Sequence, residues 1–238
     1  MTKLDLLVIG AHPDDAEICV GGTMLSFARA KKRVGVIDVT RGEMGTRGSL
    51  ADRDRETENA SRLLGLAWRA NLGLSDGRVE ATVEARERLA RMIRECAPDV
   101  VLAHHTEDLH PDHAATGELA RAAWYLSGLS RLAERDGGPP ARRPRRLFHF
   151  MGHVPFDPTL VVDVDPVWEA KLEVVRAYAS QLEPANANDT GRHFLFGADI
   201  LARIETRSRY FGERIGARHG EPLLHHGPVG VTDPSVVL

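Results

Sequence analysis

The chain has only two cysteines, no apolar run of membrane-spanning length and no excess of basic residues, and each shortage removes a class of protein. A transmembrane helix needs about 20 consecutive apolar residues, and no stretch here approaches that. The formal net charge of −3 argues against a nucleic-acid protein, which would carry a strongly basic balance. Cys19 and Cys96 lie in helix-like segments outside any metal-type spacing, so they read as buried thiols in a reducing compartment. The first apolar run, Leu4 to Ala11, is too short for a signal-peptide core and passes directly into a polar motif. It predicts a cytoplasmic protein without a targeting segment. Two nucleotide signatures are also missing. Thr40 to Gly48 is glycine-rich but lacks the Gly-x-x-x-x-Gly-Lys order of a phosphate loop. The first strand-to-helix turn holds His-Pro-Asp-Asp where a dinucleotide fingerprint would hold glycines.

What is present is an alternation of strand-like and helix-like segments, enough for one α/β domain over residues 1–238 with a full core. Leu4 to Ile9 and Val34 to Val39 are near-continuous apolar runs, as expected of strands buried on both faces. The helix between them, Asp14 to Lys31, is weakened by Gly21 and Gly22 unless something packs closely there. Strand, helix and strand in that order predict a parallel sheet with a right-handed crossover. Further strands are expected at Trp68 to Leu72, Val100 to Ala103, Arg146 to Gly152 and Leu160 to Val164. Further helices are expected at Asp52 to Leu64, Glu84 to Cys96, Ala114 to Leu126, Val167 to Gln181 and Gly197 to Ile215. Glu134 to Arg146 reads as a surface loop, and the Asn-rich stretch Leu182 to Arg192 as a mobile functional one. The final segment, about twenty residues alternating Gly, Pro and His, takes no assignment. The expected fold is therefore a Rossmann-like domain. It has a mainly parallel sheet, helices on both faces, and a ligand crevice at the C-terminal edge of the strands.

Two short stretches at that edge repeat one another: Ala11-His12-Pro13-Asp14-Asp15, and Leu109-His110-Pro111-Asp112-His113. Proline suits the first helical turn, so each histidine lies at a helix start and each following carboxylate in the first turn, where the helix dipole favours it. His12 and Asp15 are three apart, as are His110 and His113, so each pair can converge. A catalytic zinc takes three protein ligands and leaves a position open. The candidate ligands are His12, Asp15 and His113. Asp14 is then free to act as a general base on water, and His110 to stabilise charge on the far side of a substrate. Asp112 is expected to hydrogen-bond His110 and keep it protonated. Read blandly, either stretch alone is a helix cap with surface histidines; the pair at two such junctions points to one site. His104 and His105 read as strand-end histidines, and His225-His226 as an exposed doublet. Arg192 and His193, after the polar loop, are placed to close over a substrate but carry no assignment.

These residues resemble the LmbE/PIG-L metal-dependent deacetylases, whose signatures are Ala-His-Pro-Asp-Asp near the N-terminus and His-Pro-Asp-His in mid-chain. Thr40 to Glu43, Gly45 to Gly48, Asn71 to Leu74, Asp76 to Arg78, Tyr178 to Gln181, Glu205 to Gly212 and Gly220 to Pro222 resemble the bacillithiol-biosynthesis branch. The resemblance implies a zinc enzyme, with Fe2+ or another divalent ion as the alternative metal, and a homo-oligomer. It implies removal of the N-acetyl group from an N-acetylglucosamine glycoside, N-acetylglucosaminyl-malate first among them. Another amino-sugar conjugate, or a thiol conjugate, is the alternative substrate. Arg53, at the start of its helix, is the candidate for gripping that substrate. The chain departs from the branch at Leu109, where an arginine usually precedes His-Pro-Asp-His. Two histidines and one carboxylate also suit a non-haem iron oxygenase, and a non-catalytic α/β binding module is the third reading. Neither has a use for the spare base.

Overall fold

A computed structural model describes residues 3–182 and 200–230. The polar stretch that follows Leu182, with Arg192 and His193, lies outside the described residues, as do positions 197–199 of the expected last helix.

Seven strands form one sheet in the order β3-β2-β1-β4-β5-β7-β6. β1 (Leu6–Gly10), β2 (Val34–Asp38), β3 (Trp68–Asn71), β4 (Val100–His104) and β5 (Arg146–Phe150) are parallel. β6 (Leu160–Asp163) and β7 (Gly220–Leu224) close the far edge antiparallel. Period-two alternation along β1 explains the two cores. Leu6 and Val8 pack with α1 (Asp15–Arg29), α6 (Trp168–Arg176) and α8 (Ile200–Glu213) on one face. Leu7 and Ile9 pack with α3 (Val83–Cys96) and α4 (Pro111–Ser127) on the other. α2 (Leu50–Leu64) flanks the first face, α5 (Ser130–Asp136) follows α4, and α7 (Ala179–Leu182) follows α6. No helix among the described residues is long and apolar enough to cross a membrane.

One conditional expectation is met, and the structure departs from the sequence reading at β7, between α6 and α7, and at α5. The glycines of α1 do meet close packing. A Cβ on Gly22 would lie 2.7 Å from Val164 and 2.9 Å from Glu221 Oε1. The helix kinks at Val20, and the Glu221 carboxylate caps its second half by accepting from the backbone N–H groups of Gly22 (2.8 Å) and Thr23 (2.6 Å). Lys171 balances that buried charge at 2.7 Å. Glu221 belongs to β7, which the sequence reading missed because Pro222 and the flanking glycine disguise a strand at this position. The expected helix from Val167 to Gln181 is broken after Arg176 into α6 and α7. The expected loop from Glu134 begins inside α5, which ends at Asp136, before the left-handed Gly137.

Candidate active site

β1 and β4 are neighbours, yet the crossover from β1 leads to β2 on one side and the crossover from β4 to β5 on the other. The connections part at the carboxyl ends of these two strands and open a crevice. The two His-Pro-Asp junctions follow the two strands that flank this point. His104 ends β4, and His153 lies just beyond β5.

His12, Asp15 and His113 come together there, with one ligand atom from each lying within 4.8 Å of the others. His12 Nδ1 is 3.3 Å from Asp15 Oδ2, and His113 Nε2 is 3.3 Å from Asp15 Oδ1. The outward nitrogen of each ring meets a carboxylate. His12 Nε2 lies 3.1 Å from Asp76 and 3.2 Å from Asp112, and His113 Nδ1 lies 3.3 Å from Asp108. This pattern fixes each ring and turns its other nitrogen inward. Two imidazole nitrogens and a carboxylate oxygen form a donor set for a borderline divalent cation such as zinc. The electrostatics agree. Burial works against charge on both imidazoles, but the carboxylates around them outweigh it. They hold His12 well above its ordinary range and His113 up to about 9. A pocket that retains positive charge so firmly is suited to a cation. Asp15 stays well below the usual carboxylate range despite burial, because His113 and His104 face it.

Asp14 stands beside this set without joining it. Its backbone is left-handed, with φ 119° and ψ −28°, although it is not glycine. Such a conformation costs about 1–3 kcal/mol and persists only where its surroundings impose it. Asp14 occupies the N-cap of α1, yet its side chain makes no capping bond there, so the carboxylate is not consumed by the helix. Burial pushes that carboxyl up to about 7, opposed by Arg53 and reinforced by Asp15. Arg53 is buried, donates to the Pro13 carbonyl at 2.7 Å, and lies 3.4 Å from Asp14 Oδ2. Sequence reasoning expected this guanidinium to grip a substrate; the contacts instead engage it in the Pro13-Asp14 junction.

The expected pairing of Asp112 with His110 does not form. The Asp112 carboxylate accepts from the backbone N–H groups of Gly77 (2.7 Å) and Val79 (3.2 Å) and meets His12 Nε2. It is the Asp112 backbone N–H that donates to His110 Nδ1, at 3.2 Å, making the imidazole the N-cap of α4. An imidazole that accepts at Nδ1 is neutral and carries its proton on Nε2. Burial, His113 and His12 all lower the His110 pKa, and the positive end of a helix acts in the same sense. His110 is therefore a neutral donor rather than an imidazolium.

Sequence reasoning gave no role in the site to His104, Asp108, His153, Asp76 or Glu43. His104 is fully buried, stacks on His113 with ring centroids 4.1 Å apart, and its Nε2 lies 3.0 Å from Asp15 Oδ2. Burial holds it near 4, so it is a neutral donor to that carboxylate. Asp108 faces His113 and is held by the His153 ring (2.7 Å), the His153 N–H (2.8 Å) and the His110 N–H (2.9 Å). Asp76 supports His12 from a loop that Glu43 joins to its neighbour, accepting from the Asp76 and Arg41 backbones. The Thr40–Glu43 and Asp76–Arg78 stretches held the only signal for the last contact.

Comparison with known proteins decides the family. The family described as PIG-L, GlcNAc-PI de-N-acetylase, matches residues 7–124, which carry both junctions. The 1D-myo-inositol 2-acetamido-2-deoxy-alpha-D-glucopyranoside deacetylase of Streptomyces scabiei is 30% identical, over 95% of this chain and 90% of that protein. The chain belongs to the PIG-L/LmbE family. It is an enzyme that hydrolyses N-acetyl amides. The probable N-acetyl-alpha-D-glucosaminyl L-malate deacetylase 2 of Bacillus anthracis is 28% identical, over 74% of this chain and 80% of that one. The crystal structure of the conserved protein TT1542 from Thermus thermophilus superposes with a TM-score of 0.84 at 35% identity, covering 96% and 97% of the two chains. The mainly parallel sheet with its helices is thus the fold of PIG-L/LmbE proteins.

Proposed function

We propose that this family member removes the acetyl group from an N-acetylglucosamine glycoside, in a cytoplasmic route to a low-molecular-weight thiol such as bacillithiol. The cation is zinc, held by His12, Asp15 and His113. The observation that carries the reading is Asp14: a half-buried carboxylate on a strained backbone beside the ligand set, with its pKa raised towards neutrality, no capping bond to its helix and, among the described residues, only Arg53, at 3.4 Å, as a side-chain partner.

When bound, the cation supplies a Lewis acid for a water molecule and for the amide oxygen. Asp14 takes a proton from the water as its oxygen attacks the acetyl carbon. His110, neutral and protonated at Nε2, donates a hydrogen bond to the oxygen on which negative charge develops. A neutral imidazole can serve this purpose when a helix N-terminus keeps it uncharged. As the C–N bond breaks, Asp14 returns its proton to the leaving nitrogen, giving the free amine and acetic acid, which ionises to acetate. His110 keeps its proton throughout, because the N–H of a neutral imidazole donates a hydrogen bond readily but is far too weak an acid to give up its proton to the leaving amine. Arg53 positions Asp14 through Pro13, a role its contacts favour over direct contact with substrate.

For the aglycone, N-acetylglucosaminyl-malate is the first candidate, supported by similarity to the Bacillus anthracis protein. The similarity to the inositol-glycoside deacetylase is as great, so the shared sugar carries more weight than either aglycone. Leu109, 64% exposed between Asp108 and His110, offers no charge to a malate carboxylate and favours tolerance of other aglycones. The test is acetate release by the zinc-loaded protein from N-acetylglucosaminyl-malate, the inositol glycoside and free N-acetylglucosamine. Release from at least one glycoside is expected; release from none of them overturns the reading.

A further inference from the structure

The two carboxylates of the first His-Pro-Asp junction are held by different means. Asp15 is fixed through its side chain: Oδ2 accepts from the His12 backbone N–H at 2.8 Å and faces His104 Nε2 at 3.0 Å. Asp14 has a single side-chain partner among the described residues, Arg53 at 3.4 Å. Its place is therefore set by its backbone, which is left-handed at φ 119° and persists in that state only where its surroundings impose it. On one side, Arg53 holds the preceding Pro13 carbonyl at 2.7 Å. On the other, the Ile18 N–H donates to the Asp14 carbonyl at 2.9 Å and ties it to α1. Asp14 stays in place only if the first turn of α1 is immobile, and no side-chain cap secures that turn.

Glu17 supplies the anchor. It is the third residue of α1 and fully buried. A glutamate at that position commonly turns back to the helix N-cap in a capping box. Here its Oε1 accepts instead from Arg69 Nη1 at 2.7 Å and from the Tyr178 hydroxyl at 3.0 Å. Arg69 belongs to β3 and also donates to both oxygens of Asp38, the last residue of β2, at 2.8 and 2.9 Å. It reaches Ser61 Oγ of α2 at 3.2 Å. Tyr178 is buried between α6 and α7. Groups from β2, β3, α2 and the end of α6 thus converge on one residue of the turn. Two carboxyl groups share one guanidinium there, and Glu17 Oε2 is buried without a hydrogen-bond partner. Well-packed apolar residues often stabilise a fold as well as a buried polar cluster does, so stability alone does not account for this one.

We propose that Glu17 is a positioning residue for the deacetylation, itself held by Arg69 and Tyr178. It locks the first turn of α1 and so keeps the Asp14 carboxylate beside the metal ligands. The inference rests on the role proposed above for Asp14. The unlike anchoring of the two neighbours gives it a signature. Loosening the turn displaces Asp14, which only its backbone places, and leaves Asp15, which His12 and His104 hold, facing the metal. Turnover falls and zinc affinity stays.

The test uses the full chain loaded with zinc. Glu17→Ala is expected to lower kcat about 10- to 100-fold, the scale of misplacing a catalytic group by about 1 Å. KM, and the zinc dissociation constant from chelator competition, should change little. Glu17→Gln keeps an oxygen for Arg69 and Tyr178 and should recover most of the rate. Tyr178→Phe removes one of the two bonds and should give a smaller loss of the same kind; it carries the test if Glu17→Ala does not fold. General damage to the fold also slows turnover, so the deciding measurement is the double variant. Added to Asp14→Asn, Glu17→Ala should cost no further rate, because the group it positions is already gone, whereas independent effects multiply. A full further fall in the double variant, zinc affinity lost in step with kcat, or Glu17→Gln as slow as alanine would overturn the inference. So would full turnover in folded Glu17→Ala, or in Tyr178→Phe where alanine does not fold. Asp14→Asn retaining its own turnover would instead remove the role proposed for Asp14, and this inference with it.

Discussion

His104 Nε2 stands 3.0 Å from Asp15 Oδ2, so the carboxylate that joins the two metal-facing imidazoles is itself held by a third, fully buried one. The bond runs from the last residue of β4 to the first turn of α1 and fixes the separation of the two His-Pro-Asp junctions. Removing it leaves that oxygen held only by the His12 backbone N–H, at 2.8 Å, and loosens the carboxylate's orientation towards His12 and His113.

His104→Ala should therefore weaken zinc binding by about 10- to 100-fold, the usual effect of losing a residue that orients a metal ligand. A chelator competition on the folded variant measures it. An unchanged dissociation constant would show that Asp15 needs no such support.

His110→Ala and His113→Ala should separate binding from turnover. His113→Ala should lose most of its zinc. His110→Ala should keep its zinc and lose about 100- to 1,000-fold in kcat, the scale of removing one donor to a developing oxyanion. Equal zinc loss in the two variants would contradict this division. Because His110 is neutral in this account, His110→Gln, which retains an uncharged donor, should recover part of the rate. A requirement for positive charge would leave it as slow as alanine.

Leu109→Arg should lower KM for N-acetylglucosaminyl-malate and leave free N-acetylglucosamine nearly unchanged. An arginine can grip a carboxylate in a bidentate contact that leucine cannot make. The measurement is kcat/KM for both substrates in both proteins. An equal shift for both would show that position 109 does not face the aglycone.

The parallel core of the fold was legible because Leu6 to Gly10 and Val34 to Asp38 are buried on both faces and carry continuous apolar runs. β7 was not, since Glu221 and Pro222 contradict that pattern. Glu221 is explained only by the kink of α1, which lies 198 and 199 residues away in sequence. In the site, spacing brought out His12, Asp14, Asp15 and His113, because proline at a helix start places neighbouring polar residues on one turn. The roles of Asp112 and His110 were not recoverable that way. They depend on whether a side chain or a backbone N–H fills the cap, and on the Gly77 and Val79 amides, which reach the site from another loop. His104 looked like any strand-end histidine until Asp15 was placed opposite it.

The central claim is that Asp14 moves the proton and does not hold the metal. Asp14→Asn preserves shape and removes only the basic oxygen, so zinc content and kcat measured on the same preparation test the claim most directly. The account predicts one zinc retained at the His12, Asp15 and His113 site and a fall in kcat of about 100- to 10,000-fold. Loss of that zinc, or turnover close to that of the unaltered enzyme, would contradict it.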